Sequence, residues 1–238
     1  MKAAKVLLNL LYPLHCASCG RHLRALNNMG ACAYCLSMIK RNPPPYCPRC
    51  GRSPGNPAEE CAECRQMKPV FSHSYSACLY EGPMKDMICA FKYRNRRELS
   101  MIFTKIMLDF TRDNPQIIEN IDMITFIPLD RKRLSGRGFN QSELLAAGLG
   151  RWLGMPVKHL LDKAIAAKHQ NDLSREERLT NIMGTFKIKN GMKDVVKGAK
   201  ILIIDDVMTT GSTLNESSRE LINAGAAEAR CFTLARGM

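Results

Sequence analysis

Fourteen consecutive residues near the carboxyl end carry the most specific chemistry in the chain. Ile201-Leu202-Ile203-Ile204 leads into Asp205-Asp206-Val207-Met208-Thr209-Thr210-Gly211-Ser212-Thr213-Leu214. The aliphatic run reads as a strand buried on both faces of a parallel sheet, and the pattern from Ser212 onward reads as a helix. A strand, a hydroxyl-rich loop with one glycine, and then a helix is how α/β proteins build a phosphate cradle. Amides at the helix start face the anion, Gly211 permits close approach, and Thr209, Thr210, Ser212 and Thr213 can each donate a hydrogen bond. No lysine lies in the loop, which excludes a nucleoside-triphosphate loop of the GxxxxGK[ST] kind. Two carboxylates beside an anion site make sense when the ligand also carries vicinal hydroxyls, with Mg²⁺ sharing the load. A ribose 5-phosphate meets both needs.

The second chemistry-bearing set lies at the other end. Cys16-Ala-Ser-Cys19, Cys32-Ala-Tyr-Cys35, Cys47-Pro-Arg-Cys50 and Cys61-Ala-Glu-Cys64 are four successive CxxC pairs, eight of the chain's 11 cysteines. Two intervening residues let both thiolates point at one ion. Gly20 and Gly51 follow the first pair of each half, where a tight turn benefits from a residue tolerant of positive φ. The gaps between pairs suit a short hairpin, giving two structural zinc sites of four cysteines each and repeating at about 30 residues. Sequential pairing competes with an interleaved one. A disulfide framework and redox-active pairs are the other readings. The first lacks an export signal, and redox pairs usually come singly beside a βαβ unit. Closed four-thiolate sites leave no open position, so this zinc is read as structural. Metal must supply most of the folding free energy of so small and core-poor a module. Cys78, Cys89 and Cys231 sit among apolar residues and read as core.

The string from Ile201 to Leu214 resembles the phosphoribosyl diphosphate (PRPP) binding motif of type I phosphoribosyltransferases at every position. Leu129-Asp130-Arg131-Lys132-Arg133-Leu134-Ser135-Gly136-Arg137-Gly138-Phe139-Asn140-Gln141, reading as the opening of a helix, resembles the RxxxRGFNQ signature of ComF-type proteins. These are late-competence relatives with a phosphoribosyltransferase domain behind a double zinc ribbon. Glu81-Gly82-Pro83 with Phe91-Lys92-Tyr93, and Lys168 to Arg175 with Arg178, Asn181 and Phe186, are similar to further family blocks. The resemblance implies PRPP held with Mg²⁺ by residues 205–213, with Asp205 and Asp206 on the ribose hydroxyls. It also implies a diphosphate loop at Leu129, Asp130, Arg131 and Lys132, and a hood over roughly Ala166 to Arg178. The reaction implied is displacement of diphosphate from ribose C1 by a nitrogen nucleophile of unknown identity. A PRPP-sensing or catalytically silent module is a second reading. A protein handling single-stranded DNA beside the DNA-uptake machinery is a third, for which Lys92, Arg94, Arg96 and Arg97 beside Tyr93 are the candidate patch.

The elements needed to position these residues define an α/β domain of the type I phosphoribosyltransferase fold. Its sheet is mostly parallel, with strands at 122–128, 200–205 and 230–235, and helices lie near 139–153 and 212–224. Turns fall at Asn114-Pro115 and Asn190-Gly191. The domain is expected over 69–238, behind a lead-in helix and zinc-ribbon module over 1–68. Hydrophobic content of 45% and charged content of 24% exclude general disorder. Val6 to Leu11 is far short of a membrane span, so stable membrane insertion is not expected and a cytoplasmic protein is. The 35 Lys and Arg against 22 Asp and Glu give a net +13. Residues 1–70 hold 10 and 3 of these, an excess of +7. Two zinc tetrathiolates, each near −2, would cut that excess to roughly +3, which weakens the case for nucleic acid that net charge alone makes. With Trp152 the single Trp and aromatics at 6%, stacking platforms are also sparse.

Overall fold

The computed structural model describes residues 14–23, 30–53, 56–163 and 184–237. The lead-in helix and the hood of the sequence reading, and Lys168 to Asn181 with it, lie outside them. A four-stranded, fully parallel sheet runs in the order β1 (Ser74–Leu79), β6 (Glu228–Arg236), β5 (Lys200–Met208), β2 (Met123–Phe126). A second, antiparallel pair joins β3 (Leu161–Lys163) to β4 (Phe186–Ile188).

Both faces of the central sheet are covered, as its unbroken aliphatic strands require. Leu202, Ile204, Phe232 and Leu234 pack with Phe91 of α3 (Gly82–Tyr93), Phe103 and Met107 of α4 (Leu99–Asp113), and Leu145 and Leu149 of α6 (Gln141–Leu153). Ile201, Ile203 and Cys231 face Leu214 and Leu221 of α8 (Ser212–Asn223), together with Leu161, Phe186 and Val196 of α7 (Lys193–Val196). Cys78 and Cys231 are fully buried core residues, and Cys89 is half-buried with its sulfur 3.6 Å from the Tyr80 hydroxyl.

The cysteine module packs into these layers. Cys16, Cys32 and Cys35 join the first cluster, and Cys47, Cys50 and Cys64 join the second. Short helices α1 (Ala33–Ser37) and α2 (Ala62–Met67) begin at Cys32 and Cys61, so the second half of each ribbon is a helical turn and not a second knuckle. The expected helix opening at 129–141 is two elements. Asp130 caps α5 (Arg131–Arg137), Gly138 closes it at φ +72°, and Asn140 caps α6 by accepting the Ser142 amide. A left-handed glycine followed by a fresh cap breaks what reads in sequence as one helix start.

Candidate functional site

The site is made by a difference in strand length. β2 leaves the sheet at Phe126, opposite Ile204, whereas β5 continues to Met208 by pairing with β6, Val207 opposite Ala235 and Met208 opposite Arg236. The expected strand end at 205 is therefore exceeded. Asp205 and Asp206 stand on ordered strand with one edge open, at the carboxyl end of a parallel sheet where α/β ligands bind. A cavity of about 760 Å³ opens there, between Ile127, Pro128 and Leu129 after β2, Phe186 of β4, and the acid pair.

The two carboxylates are held differently. Asp206, 6% exposed, receives the Lys92 ammonium of α3 at 2.8 Å. Asp205 Oδ1 accepts from the Ser142 hydroxyl at 2.7 Å and from the Asp206 amide at 2.8 Å. Withdrawal from water, and then the neighbouring Asp206 charge, push Asp205 up to about 7, against the opposing pull of Ser142, the Asp206 amide and Lys92. One member of the pair is thus neutralised by a cation, and the other is poised to gain or lose a proton near neutrality.

Arg133, Arg137 and Lys163 add positive charge to the cavity wall. The Asp130 side chain accepts the Arg133 amide as the cap of α5 and pairs with Arg133 at 3.3 Å and Lys163 at 3.6 Å. Slight burial works the other way, but that amide and the two cations hold its carboxyl below the usual range. Leu129 lines the cavity, whereas Arg131 and Lys132 are exposed in the first turn of α5 and do not line it. Arg137 stacks over the 70%-exposed Tyr93 ring at 5.0 Å while donating to Gln141 Oε1 at 2.9 Å. Of the basic cluster around Tyr93, Arg96 reaches Glu98 and the His15 carbonyl, and Arg97 lies over Phe139 and donates to the Gly138 carbonyl. With Lys92 on Asp206, three of those four cations are engaged within the chain.

The loop after β5 is short. Met208 ends the strand, Gly211 sits at φ +81° before the first residue of α8, and Asn215 makes the first helical hydrogen bond, to the Gly211 carbonyl. The amides of residues 213 and 214 precede that bond and are available to an anion, while the Ser212 amide donates to the Thr210 hydroxyl at 3.4 Å. Thr209 and Thr210 are exposed, and the Thr210 hydroxyl lies 2.8 Å from that of Ser212. Asp205 and residues 207–214 enclose a small cup of about 30 Å³. Gly211 is required on two counts, since a Cβ there would also lie 2.6 Å from Met208 Cε.

The cysteines gather into two groups, Cys16, Cys19, Cys32 and Cys35, then Cys47, Cys50, Cys61 and Cys64, each with its sulfurs within 4.8 Å of one another. Pairing is sequential, and all eight are free thiols with no disulfide. The knuckles repeat bond for bond. The Cys16 amide donates to the Arg21 carbonyl as Cys47 does to Arg52, and the Gly20 amide donates to the Cys16 carbonyl as Gly51 does to Cys47, both glycines at positive φ. Backbone amides approach the sulfurs, Cys32 to Cys16 at 3.4 Å and Cys61 to Cys47 at 3.3 Å. Burial opposes the thiolate at Cys16, but the amides of Cys32, Cys19 and Ser18 outweigh it and hold the group at about 6. Four thiolate donors with amide support fit structural zinc, which each group would hold tetrahedrally without an open position.

Family models agree with this division. A double zinc ribbon domain matches residues 7–73, and a phosphoribosyl transferase domain matches 143–238. The DNA utilization protein YhgH of Salmonella typhi is 30% identical over 215 residues, covering 89% of this chain and 92% of the relative. The competence protein ComFC of Bacillus subtilis is 30% identical over 213 residues, covering 86% and 83%. The chain belongs to the ComF family. Competence protein F of Haemophilus influenzae, another ComF relative, is 29% identical over 228 residues, covering 94% and 98%. Among solved structures, a hypoxanthine phosphoribosyltransferase from Staphylococcus aureus aligns at 16% identity with a TM-score of 0.36, covering 59% of this chain and 64% of that one. The architecture of this ComF chain is a type I phosphoribosyltransferase fold behind a double zinc ribbon.

Sequence reasoning alone did not assign Ser142 or Lys163 to the site, nor pair Lys92 with Asp206. A lysine between two aromatics at a helix end, Phe91-Lys92-Tyr93, was the available signal for Lys92. Ser142 follows directly on the RxxxRGFNQ block, but Lys163 carries no local signal at all.

Proposed function

We propose that the cavity binds PRPP with Mg²⁺ and that the chain transfers its phosphoribosyl group to a nitrogen acceptor, as a cytoplasmic enzyme linked to DNA uptake. The carrying observation is an acid pair and a wall of cations in one cavity, adjoined by the hydroxyl cup at a helix start that shares Asp205, Val207 and Thr213 with it. In this reading Thr209 to Thr213 and the first amides of α8 hold the 5-phosphate, while Asp205 and Asp206 accept from the ribose hydroxyls. The diphosphate lies against Leu129, with Arg133, Arg137 and Lys163 as its charge partners, whereas Arg131 and Lys132 of the expected diphosphate loop stay outside the cavity. As the bond from C1 to the diphosphate oxygen breaks and the bond to nitrogen forms, positive charge grows on the sugar. The carboxylates stabilise that charge from a fixed position. Lys92 keeps the adjacent carboxylates from repelling each other before ligand arrives.

The two carboxylates are the hard oxygen donors that Mg²⁺ takes. Because Lys92 already faces Asp206, the greater share of the coordination would fall to ligand oxygens. When bound, the ion would offset charge on the departing diphosphate. Diphosphate release across a panel of bases and amines tests transfer, with release expected for at least one acceptor. Binding without release for any of them would leave a PRPP sensor.

A second reading, a single-stranded DNA-handling protein whose PRPP site only senses, is favoured by the exposed Tyr93 ring with Arg137 stacked on it in the same cavity wall. The names of the relatives, DNA utilization and competence, point the same way, and proteins of the DNA-uptake machinery would be its partners. Fluorescence anisotropy with single-stranded DNA over a salt series tests it. Binding with a log-log slope of several units, lost in Tyr93→Ala with Arg137→Ala, supports that reading, and no binding removes it.

A further inference from the structure

Arg236, the last residue of β6, is 3% exposed. Among the described residues no carboxylate pairs with it. Its Nη1 donates to the Cys50 carbonyl at 2.7 Å and to Met208 Sδ at 3.1 Å, and its buried Nε has no partner. A guanidinium does not escape burial by losing its proton, and a buried charge without a counter-ion is strongly disfavoured. The anion within reach is the Cys47, Cys50, Cys61 and Cys64 group, which carries about −2 once four thiolates hold Zn²⁺. The first cysteine group differs. Arg96 reaches the His15 and Gly30 carbonyls beside it but is paired with Glu98.

Met208 is the other end of this contact. Its sulfur also accepts from the Ser74 hydroxyl at 3.2 Å, its carbonyl accepts the Gly237 amide at 2.9 Å, and its methyl sits against Gly211. Gly51, next to Cys50, packs against the Ser74 carbonyl too closely for any Cβ. Two short routes therefore run from the second cysteine group to Met208, and from there to the glycine of the hydroxyl loop.

We infer that Arg236 is the counter-charge of the second zinc centre and, through Met208, the positioning residue by which that centre sets the phosphate loop. Zinc in the second centre then supports the loop as well as its own ribbon, whereas zinc in the first does not. The link to phosphate rests on the PRPP reading, but the two decisive measurements do not use PRPP.

The test uses the full-length zinc-loaded protein. Zinc release to a chromogenic chelator is followed for wild type, Arg236→Met and Arg236→Lys. One of the two metals is expected to leave at least tenfold faster in Arg236→Met, and Arg236→Lys should stay within about threefold of wild type. Equal release in all three proteins would overturn the counter-charge. Independently of whether Arg236→Met folds, wild type labelled with ¹³C-methyl methionine is titrated with chelator, the Met208 resonance being the one lost in Met208→Leu. That methyl is expected to shift in step with release of one metal and not the other. A Met208 methyl that stays in place after both metals leave would overturn the link to the loop. Failure of wild type to bind PRPP would strike the functional reading and leave both results standing.

Discussion

At the scale of single residues the acid pair is the centre of the account, and its two members make different predictions. The folded chain holds Asp205 at about 7, against 3.8 as its ordinary value. Between those limits it keeps a proton that the unfolded chain gives up. Stability of the ligand-free protein should therefore fall as pH rises from about 4 to 7, and Asp205→Asn should flatten that slope, as thermal melts across pH would record. If the ribose hydroxyls and Mg²⁺ favour the ionised form, binding near pH 6.5 releases a proton. The calorimetric enthalpy should then vary with the ionisation enthalpy of the buffer. Lys92→Met should cost about 3 kcal/mol at pH 8, because it leaves the Asp206 charge buried and alone. Denaturant melts of the variant and of wild type check it. The acid pair was legible in sequence because the motif is contiguous. Lys92 on Asp206 was not, since 114 positions separate them and only the packing of α3 against the end of β5 joins them.

At the scale of elements, the site depends on where strands and helices stop. Asn140 caps α6 and also donates to the Ile127 carbonyl at 2.9 Å, fixing the start of α6 to the end of β2. Asn140→Ala should cost about 1–2 kcal/mol and move Ser142 away from Asp205, so that denaturant melts and PRPP affinity fall together. Gly211→Ala meets both a positive φ and Met208 Cε. A loss of about 1–3 kcal/mol is expected from strain alone, with PRPP binding lost more completely than fold, a contrast that circular dichroism and calorimetry on the same samples would separate. Strand and helix type were readable from aliphatic runs and turn residues, and the hydroxyl loop fell where the glycine and helix pattern placed it. The length of β5 was not readable. Acidic residues end strands by propensity, but here pairing with β6 as far as Arg236 carries the strand through them.

At the scale of the whole molecule, the ribbons are part of the core rather than an appendage. Cys16, Cys32 and Cys35 share a cluster with Phe91 and Phe232, and Arg41 donates to the Ile106 carbonyl at 3.2 Å. Metal analysis should give two zinc ions per chain. Chelation should lower the melting temperature of the entire protein and not of the ribbons alone. The eight ligands were plain from CxxC spacing, but their integration was not, because spacing says nothing of what a module packs against. Among the described residues no helix is long and apolar enough to cross a membrane. The proposed function rests on the cavity being a PRPP site. Titration calorimetry with PRPP and Mg²⁺ measures it directly, on wild type and on the Asp205→Asn, Asp206→Asn double variant. The account predicts saturable one-to-one binding by wild type, weakened at least tenfold in a variant that remains folded. Absence of binding by wild type, or equal affinity in the variant, would contradict it.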